Sequence, residues 1–171
     1  MAYKKTVREV MISLQDYPHI PDWFTLRQAV DLVRESAIKC AGTFEPRTVL
    51  VFNEKYQIVG ILTLRDILKG LEPNFLHESD LIKTDPTLII VMDDLFGPGM
   101  KKSAQRPVSE VMSPVKVSVK ADDSLAKALF LMVEENVGML PVMDEHRVAG
   151  IVRLRDLFLE ISQAILEKTT P

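Results

Sequence analysis

Three side chains at a fixed spacing occur twice in this chain: Thr63, Arg65 and Asp66, then, ninety residues later, Arg153, Arg155 and Asp156. Each set follows a short apolar run, Gly60-Ile61-Leu62 or Gly150-Ile151-Val152, and stands where a buried strand gives way to a helix. The first N–H groups of a helix lack internal partners and carry partial positive charge, so such a junction attracts phosphate. Thr63 adds a hydroxyl donor, and Arg65 adds a cation if it turns inward. Asp66 needs a different partner, because its carboxylate repels phosphate but accepts two hydrogen bonds, which the vicinal diol of a ribose supplies. In the second set Arg153 replaces the threonine, trading a neutral donor for a guanidinium suited to bidentate phosphate binding. The two sites are therefore expected to differ. A simpler reading stands beside this one: an aspartate in a first helical turn is stabilised without any ligand, and a neighbouring arginine can pair with it.

The elements that carry these residues are duplicated as well. Gly60 to Leu68 and Gly150 to Phe158 agree at five of nine positions, and Val7-Arg8-Glu9-Val10-Met11 returns as Val108-Ser109-Glu110-Val111-Met112 with four of five kept. Both openings read as short amphipathic helices. A helix face of Leu26, Ala29, Val30 and Val33, capped by Thr25, is matched at an offset of 99 by Leu125, Ala128, Leu129 and Met132, with Asp122, Asp123 and Ser124 at the helix start. Matching spacing at three separate blocks is hard to produce by chance and indicates internal duplication.

Two β-rich runs follow in each copy, Thr48 to Phe52 and Tyr56 to Leu62 around the polar turn Asn53-Glu54-Lys55, then Met139 to Met143 and Arg147 to Val152 around Asp144-Glu145-His146. Each unit reads as helix, short strand, helix, strand, strand, helix. The short strands are the proline-bracketed segment holding His19 and Ile20 and its counterpart Val117-Ser118-Val119. Pro141 removes a ladder donor, which places its strand, Gly138-Met139-Leu140-Pro141, at an edge or leaves backbone groups free. An adenine can use such groups and stack on the nearby apolar side chains. Thr48, Val49 and Leu50 form the equivalent wall in the first copy, and His19, Ile20 and Ser118 complete the candidate lining.

These motifs together resemble a tandem pair of cystathionine-β-synthase (CBS) domains, a Bateman module. The similarity rests on the paired Val-x-Glu-Val-Met openings, the Val137 to Asp144 strand and turn, and the two Gly-to-Asp junctions. It implies an α+β fold of two β-α-β-β-α repeats packed through their sheets in pseudo-twofold symmetry, with two clefts. The expected boundaries are repeat 1 at 4–70, an inter-repeat insert at 71–105, repeat 2 at 106–165 and a C-terminal tail at 166–171. The resemblance further implies regulatory ligands of the adenosine class, AMP, ADP, ATP or S-adenosylmethionine. It gives ribose recognition to Asp66 and Asp156 and phosphate recognition to Thr63. Arg153 departs from the family pattern and either binds more phosphate or fills an empty cleft. A homodimer and a client protein are also implied.

Other function classes find little support. His19, His77 and His146 are scattered, Cys40 has no neighbouring histidine, and none of the seven glycines builds a phosphate loop or a dinucleotide fingerprint, so no enzyme is expected. A lone cysteine allows no intrachain disulfide framework and no cysteine metal cluster. The net charge of -3 argues against a chain built to coat nucleic acid. Hydrophobic residues at 47% and charged residues at 26%, with no apolar run of spanning length, lead to the expectation of a cytoplasmic protein with no membrane association. The insert carries an apolar run, Leu88 to Met92, followed by Asp93 to Phe96, which either packs on its own module or forms a dimer or client contact. The competing functional expectation is a ligand-free structural or dimerisation module.

Overall fold

Strand β3 (Thr48–Phe52) is apolar from its second residue to its last, and the structure buries all four of those side chains. A run without alternation is what a strand covered on both faces requires. This computed structural model describes residues 4–39, 48–72 and 99–167. The apolar run at Leu88 to Met92, Cys40, His77 and the final residues Thr169 to Pro171 lie outside them. The chain divides into two compact units, Pro18–Pro114 and Met1–Tyr17 joined with Val115–Pro171.

In the first of these units, β2 (His19–Pro21) runs parallel to β3, and β3 pairs antiparallel with β4 (Ile58–Thr63). Helices α1 (Leu26–Lys39) and α2 (Leu64–Leu71) cover the sheet. Ile20, Ala29, Val49, Val51, Leu62, Ile67 and Val108 form the core. The β3–β4 turn is tied by Asn53, whose Oδ1 accepts the N–H groups of Lys55 at 3.0 Å and Gln57 at 2.9 Å, while Tyr56 takes φ 60°. Thr25 caps α1 as its type predicts: its Oγ1 accepts the Gln28 N–H at 3.3 Å, and its own N–H donates to Gln28 Oε1 at 2.9 Å. The predicted apolar face of α1 is narrower than expected, because Val30 remains 37% exposed.

The other unit contains a four-stranded sheet in the order β1 (Ile12–Ser13), β7 (Arg147–Arg153), β6 (Met139–Asp144), β5 (Val119–Lys120). Helices α3 (Leu125–Glu134) and α4 (Leu154–Leu166) complete it. Its core is Val7, Val119, Ala121, Leu125, Ala128, Met132, Leu140, Val142, Val152 and Leu157. Ser124 caps α3 by accepting the Lys127 N–H at 3.2 Å. Asp123 accepts the Lys120 N–H at 2.9 Å and pairs with Lys127 at 3.0 Å. The Lys120 N–H holds its carboxyl below the usual aspartate range.

Sequence order gives each Val-x-Glu-Val-Met opening to its own copy, but the contacts exchange them. Val7 lies in the core of the later copy and Val108 in that of the earlier one. The exchange is symmetric down to single hydrogen bonds. The N–H groups of Val7 and Arg8 donate to the carbonyls of Asp123 and Ala121, and those of Val108 and Ser109 donate to Phe24 and Asp22. Each opening is one 3₁₀ turn, Val7–Glu9 or Val108–Glu110, shorter than the predicted helices. The chain then crosses the glycine that heads each junction. Ile12 pairs with Ile151 and Ser13 with Gly150, and Ser113 bridges Ile61. A Cβ on Gly150 would overlap the Ile12 carbonyl oxygen, and one on Gly60 would come within 2.6 Å of Met112 Sδ and 2.9 Å of the Ser113 carbonyl oxygen. The glycines are there because another backbone passes over them.

Pro141 allows either an edge strand or a gap in the ladder, and the gap is what occurs: strand β6 is not at an edge, and its ladder to β5 leaves Pro141 out. The strand lies between β7 and β5. A proline is tolerated there because the β5 register starts at Val142, one residue beyond it.

Candidate functional site

The N-terminus of α2 is built by Thr63 and Asp66 acting on each other. Thr63 is the cap residue, with extended backbone (φ -86°, ψ 164°). Its Oγ1 accepts the Asp66 N–H at 3.1 Å, and its N–H donates to Asp66 Oδ2 at 3.0 Å. This reciprocal box satisfies one orphan donor of the helix and fixes the Asp66 rotamer. A third residue joins them: Ser113 Oγ donates to Asp66 Oδ1 and Oδ2, both at 3.2 Å. The Asp66 carboxylate is thus held from the helix side by a backbone N–H and from the crossing segment by a hydroxyl.

Thr48 pairs with Thr63 at this end of the hairpin. The β2 ladder covers only Leu50 to Phe52, through His19 to Pro21, so it stops two residues short of Thr48. The side chains of Val49 and Leu50 are fully buried, Val49 pairs with Leu62 of β4, and the Leu50 N–H donates to the Pro18 carbonyl at 3.2 Å. Arg65 is exposed on the first turn of α2. The structure therefore gathers Thr48, Thr63, Arg65 and Asp66 at one end of the hairpin. It does not bring His19 and Ile20 to them. The His19 ring packs edge-on against Phe52 at 5.7 Å, and its Nε2 lies 3.3 Å from Tyr56 Oη. That is the other end of β3, about 13 Å along a strand of this length. Ile20 is a core residue, 2% exposed.

The N-terminus of α4 uses different chemistry. Arg153 is the cap residue and has no hydroxyl to offer, so its guanidinium reaches over the first turn. Nε donates to Asp156 Oδ2 at 2.8 Å and Nη2 to Oδ1 at 2.9 Å. Both oxygens of the carboxylate are engaged in one planar fork. The simpler reading of an aspartate with a neighbouring arginine describes this junction. Gly138 contributes its carbonyl oxygen, which accepts the Leu154 N–H at 2.8 Å, and Met139 pairs with Arg153. Leu140 and Pro141 are buried, whereas Arg155 is exposed. Ser118 is exposed one residue before β5 begins.

Ser113 is the participant that the sequence reading missed. Its signal was present: it directly follows the second Val-x-Glu-Val-Met opening, at the position where the first opening is followed by Ile12. The two residues take the same structural place, bridging Ile61 and Ile151 respectively. A hydroxyl at that place bonds Asp66. An isoleucine cannot bond Asp156, and there the carboxylate is bonded by Arg153 instead. Among the described residues no cluster of three or more His, Cys, Asp or Glu side chains is arranged to hold a metal ion. No helix among them is long and apolar enough to cross a membrane.

Comparison with known proteins gives a consistent outcome. A profile of the CBS domain matches residues 7–73 and 108–163. The chain is 43% identical over 56 residues to the CBS domain-containing protein YhcV of Bacillus subtilis, a stretch covering 33% of this chain and 40% of that protein. In structure it is similar to CBSX2 from Arabidopsis thaliana, with a TM-score of 0.68 at 18% identity over 95% of this chain and 98% of that one. The complex of CBSX2 with AMP gives a TM-score of 0.64 at 19% identity, over 94% and 98% of the two chains. The cytosolic domain of the Mg2+ channel MgtE in complex with ATP gives 0.57 at 22%, covering 85% of this chain and 45% of that one.

Proposed function

Because this chain belongs to the CBS-domain family, we propose that it is a regulatory module that binds an adenosine compound at the β4–α2 junction and passes the change to a partner protein. CBS domain pairs are regulatory rather than catalytic, and CBS modules generally bind adenine nucleotides. The observation that carries the reading is the geometry around Asp66. The carboxylate is held by the Thr63 N–H in a fixed rotamer at a helix N-terminus, next to the part of β3 that β2 leaves uncovered. A ribose diol suits the carboxylate, a phosphate suits the helix terminus with Thr63 and Arg65, and the β3 backbone at Thr48, beyond the end of the β2 ladder, suits the edge of an adenine. The AMP and ATP complexes of the two solved relatives support the choice of AMP, ADP or ATP over other ligands, with S-adenosylmethionine kept as the fourth candidate. A homodimer, an unidentified client protein and a cytoplasmic location belong to the same reading.

Ligand affects a partner only through its preference for one arrangement of the protein over another. Titration calorimetry with AMP, ADP, ATP and S-adenosylmethionine tests the proposal. Saturable heat with at least one is expected, and Asp66→Ala should weaken it about tenfold or more through loss of charge-assisted hydrogen bonds. No heat with any of the four removes the reading. A second reading, a ligand-free structural or dimerisation module, draws on the closed Arg153–Asp156 pair. It predicts that the mass in solution, and not ligand heat, is what Asp156→Ala and deletion of 88–96 alter.

A further inference from the structure

The Ser113 hydroxyl stands 3.2 Å from each oxygen of Asp66. A donor equidistant from both oxygens is shared between them and engages both acceptors at once. A vicinal diol that donates one hydrogen bond to each oxygen calls on the same pair of acceptors. The Thr63 N–H engages Oδ2 alone. Ser113 and a diol therefore call on the same acceptors.

We infer that Ser113 is an internal competitor for the diol-binding oxygens of Asp66, so that occupancy of this site is coupled to release of the Ser113 hydroxyl. The inference rests on the proposed ribose role of Asp66 and adds what the ligand must displace. Ser113 is itself tied to β4 by two backbone bonds, Ser113 N–H to the Ile61 carbonyl and Ile61 N–H to the Ser113 carbonyl, both 2.9 Å. Freeing the side chain leaves those two bonds as its hold on the sheet. Pro114, the next residue, is the last of its compact unit. The second junction has no such device, because Ile12 takes the corresponding place.

Calorimetry with AMP on the wild type, Ser113→Ala and Asp66→Ala separates this inference from the reading beneath it. Removing the competing hydroxyl should tighten AMP binding roughly three- to tenfold, the worth of one hydrogen bond to a charged group in a partly exposed place. If Ser113→Ala binds equally or more weakly while Asp66→Ala loses affinity, the ribose assignment stands and the competition is overturned. If Asp66→Ala binds as well as the wild type, or none of the three proteins takes up AMP or any of the other three adenosine compounds, the ribose assignment falls and the competition with it. A measurement on the unmodified protein guards against a variant that folds poorly: AMP should speed hydrogen exchange of the Ser113 and Ile61 amides. Slower exchange at both would show that Ser113 holds the ligand rather than yielding to it.

Discussion

The junctions before α2 and α4 descend from one pattern, yet they satisfy their aspartates in opposite ways. Asp66 has neutral partners, a backbone N–H and a hydroxyl that comes from a distant segment. Asp156 has a cationic partner three residues away on its own helix turn. A neutral, shared arrangement leaves the carboxylate its full charge and exchanges partners easily. A bidentate guanidinium neutralises the carboxylate and occupies both oxygens. The difference originates at two positions, Thr63 against Arg153 and Ser113 against Ile12, and each pair is internally consistent. Where the cap is a hydroxyl, the crossing segment supplies a second hydroxyl. Where the cap is an arginine, the crossing residue is apolar.

The largest expected break in this comparison comes from the glycines that let the crossing segments approach. Gly150→Ala meets the Ile12 backbone and should cost about 3 kcal/mol, the upper part of the overpacking range. Gly60→Ala meets first the flexible Met112 thioether and should cost about half of that. Urea unfolding of the two variants checks the order, and a larger loss at Gly60 would show that the two crossings are not packed as described.

Smaller effects belong to the caps. Thr63→Ala should destabilise by about 1 kcal/mol, the worth of a hydroxyl N-cap. Arg153→Ala should cost a similar amount, about 1 kcal/mol, by leaving a partly buried carboxylate without its fork. Their salt dependence separates them: raising ionic strength should narrow the Arg153→Ala loss and leave the Thr63→Ala loss unchanged. Thermal or urea unfolding at low and high salt reads this directly.

The smallest effect concerns the helix start preceding each pair of strands. Asp123 has its counterpart, at the offset of 99, in Phe24, so only one copy carries a titratable group there. The Lys120 N–H, more than the Lys127 ammonium, depresses the folded pKa of Asp123 below the ordinary aspartate value. A carboxylate with a depressed folded pKa contributes stability that is fully present above its unfolded value and is lost as pH falls through the lower folded value. Asp123→Ala should therefore cost about 1 kcal/mol or less at pH 7. The gap to the wild type should shrink as the solution is acidified below 3.8. A gap that stays constant down to the acid transition would remove the charge from this explanation.

Much of the molecule was legible in the sequence because local chemistry repeats. The apolar run Thr48 to Phe52, the caps Thr25 and Ser124, the turn residue Asn53 and the Gly-to-Asp junctions each act within a few residues of themselves. Their types and spacing were enough for the order of elements and for the inequality of the two junctions, where Arg153 stands in place of Thr63. Propensity and periodicity could not reveal which copy each opening motif would pack against, since Val7 and Val108 sit in near-identical local sequences. Hydrogen bonds to Asp123 and Phe24, each more than 80 residues away, decide it. The same holds for Pro141, which allowed either an edge strand or a gap in the ladder: only the pairing of β5 from Val142 onward selects the gap. It holds equally for His19, whose ring is drawn to Phe52 and Tyr56 rather than to the junction. Ser113 is the clearest case. Its type and its place after a repeated motif were visible in the sequence. Its bond to Asp66, 47 residues away, arises only once the chain crosses over Gly60 and brings a hydroxyl to both oxygens of a carboxylate.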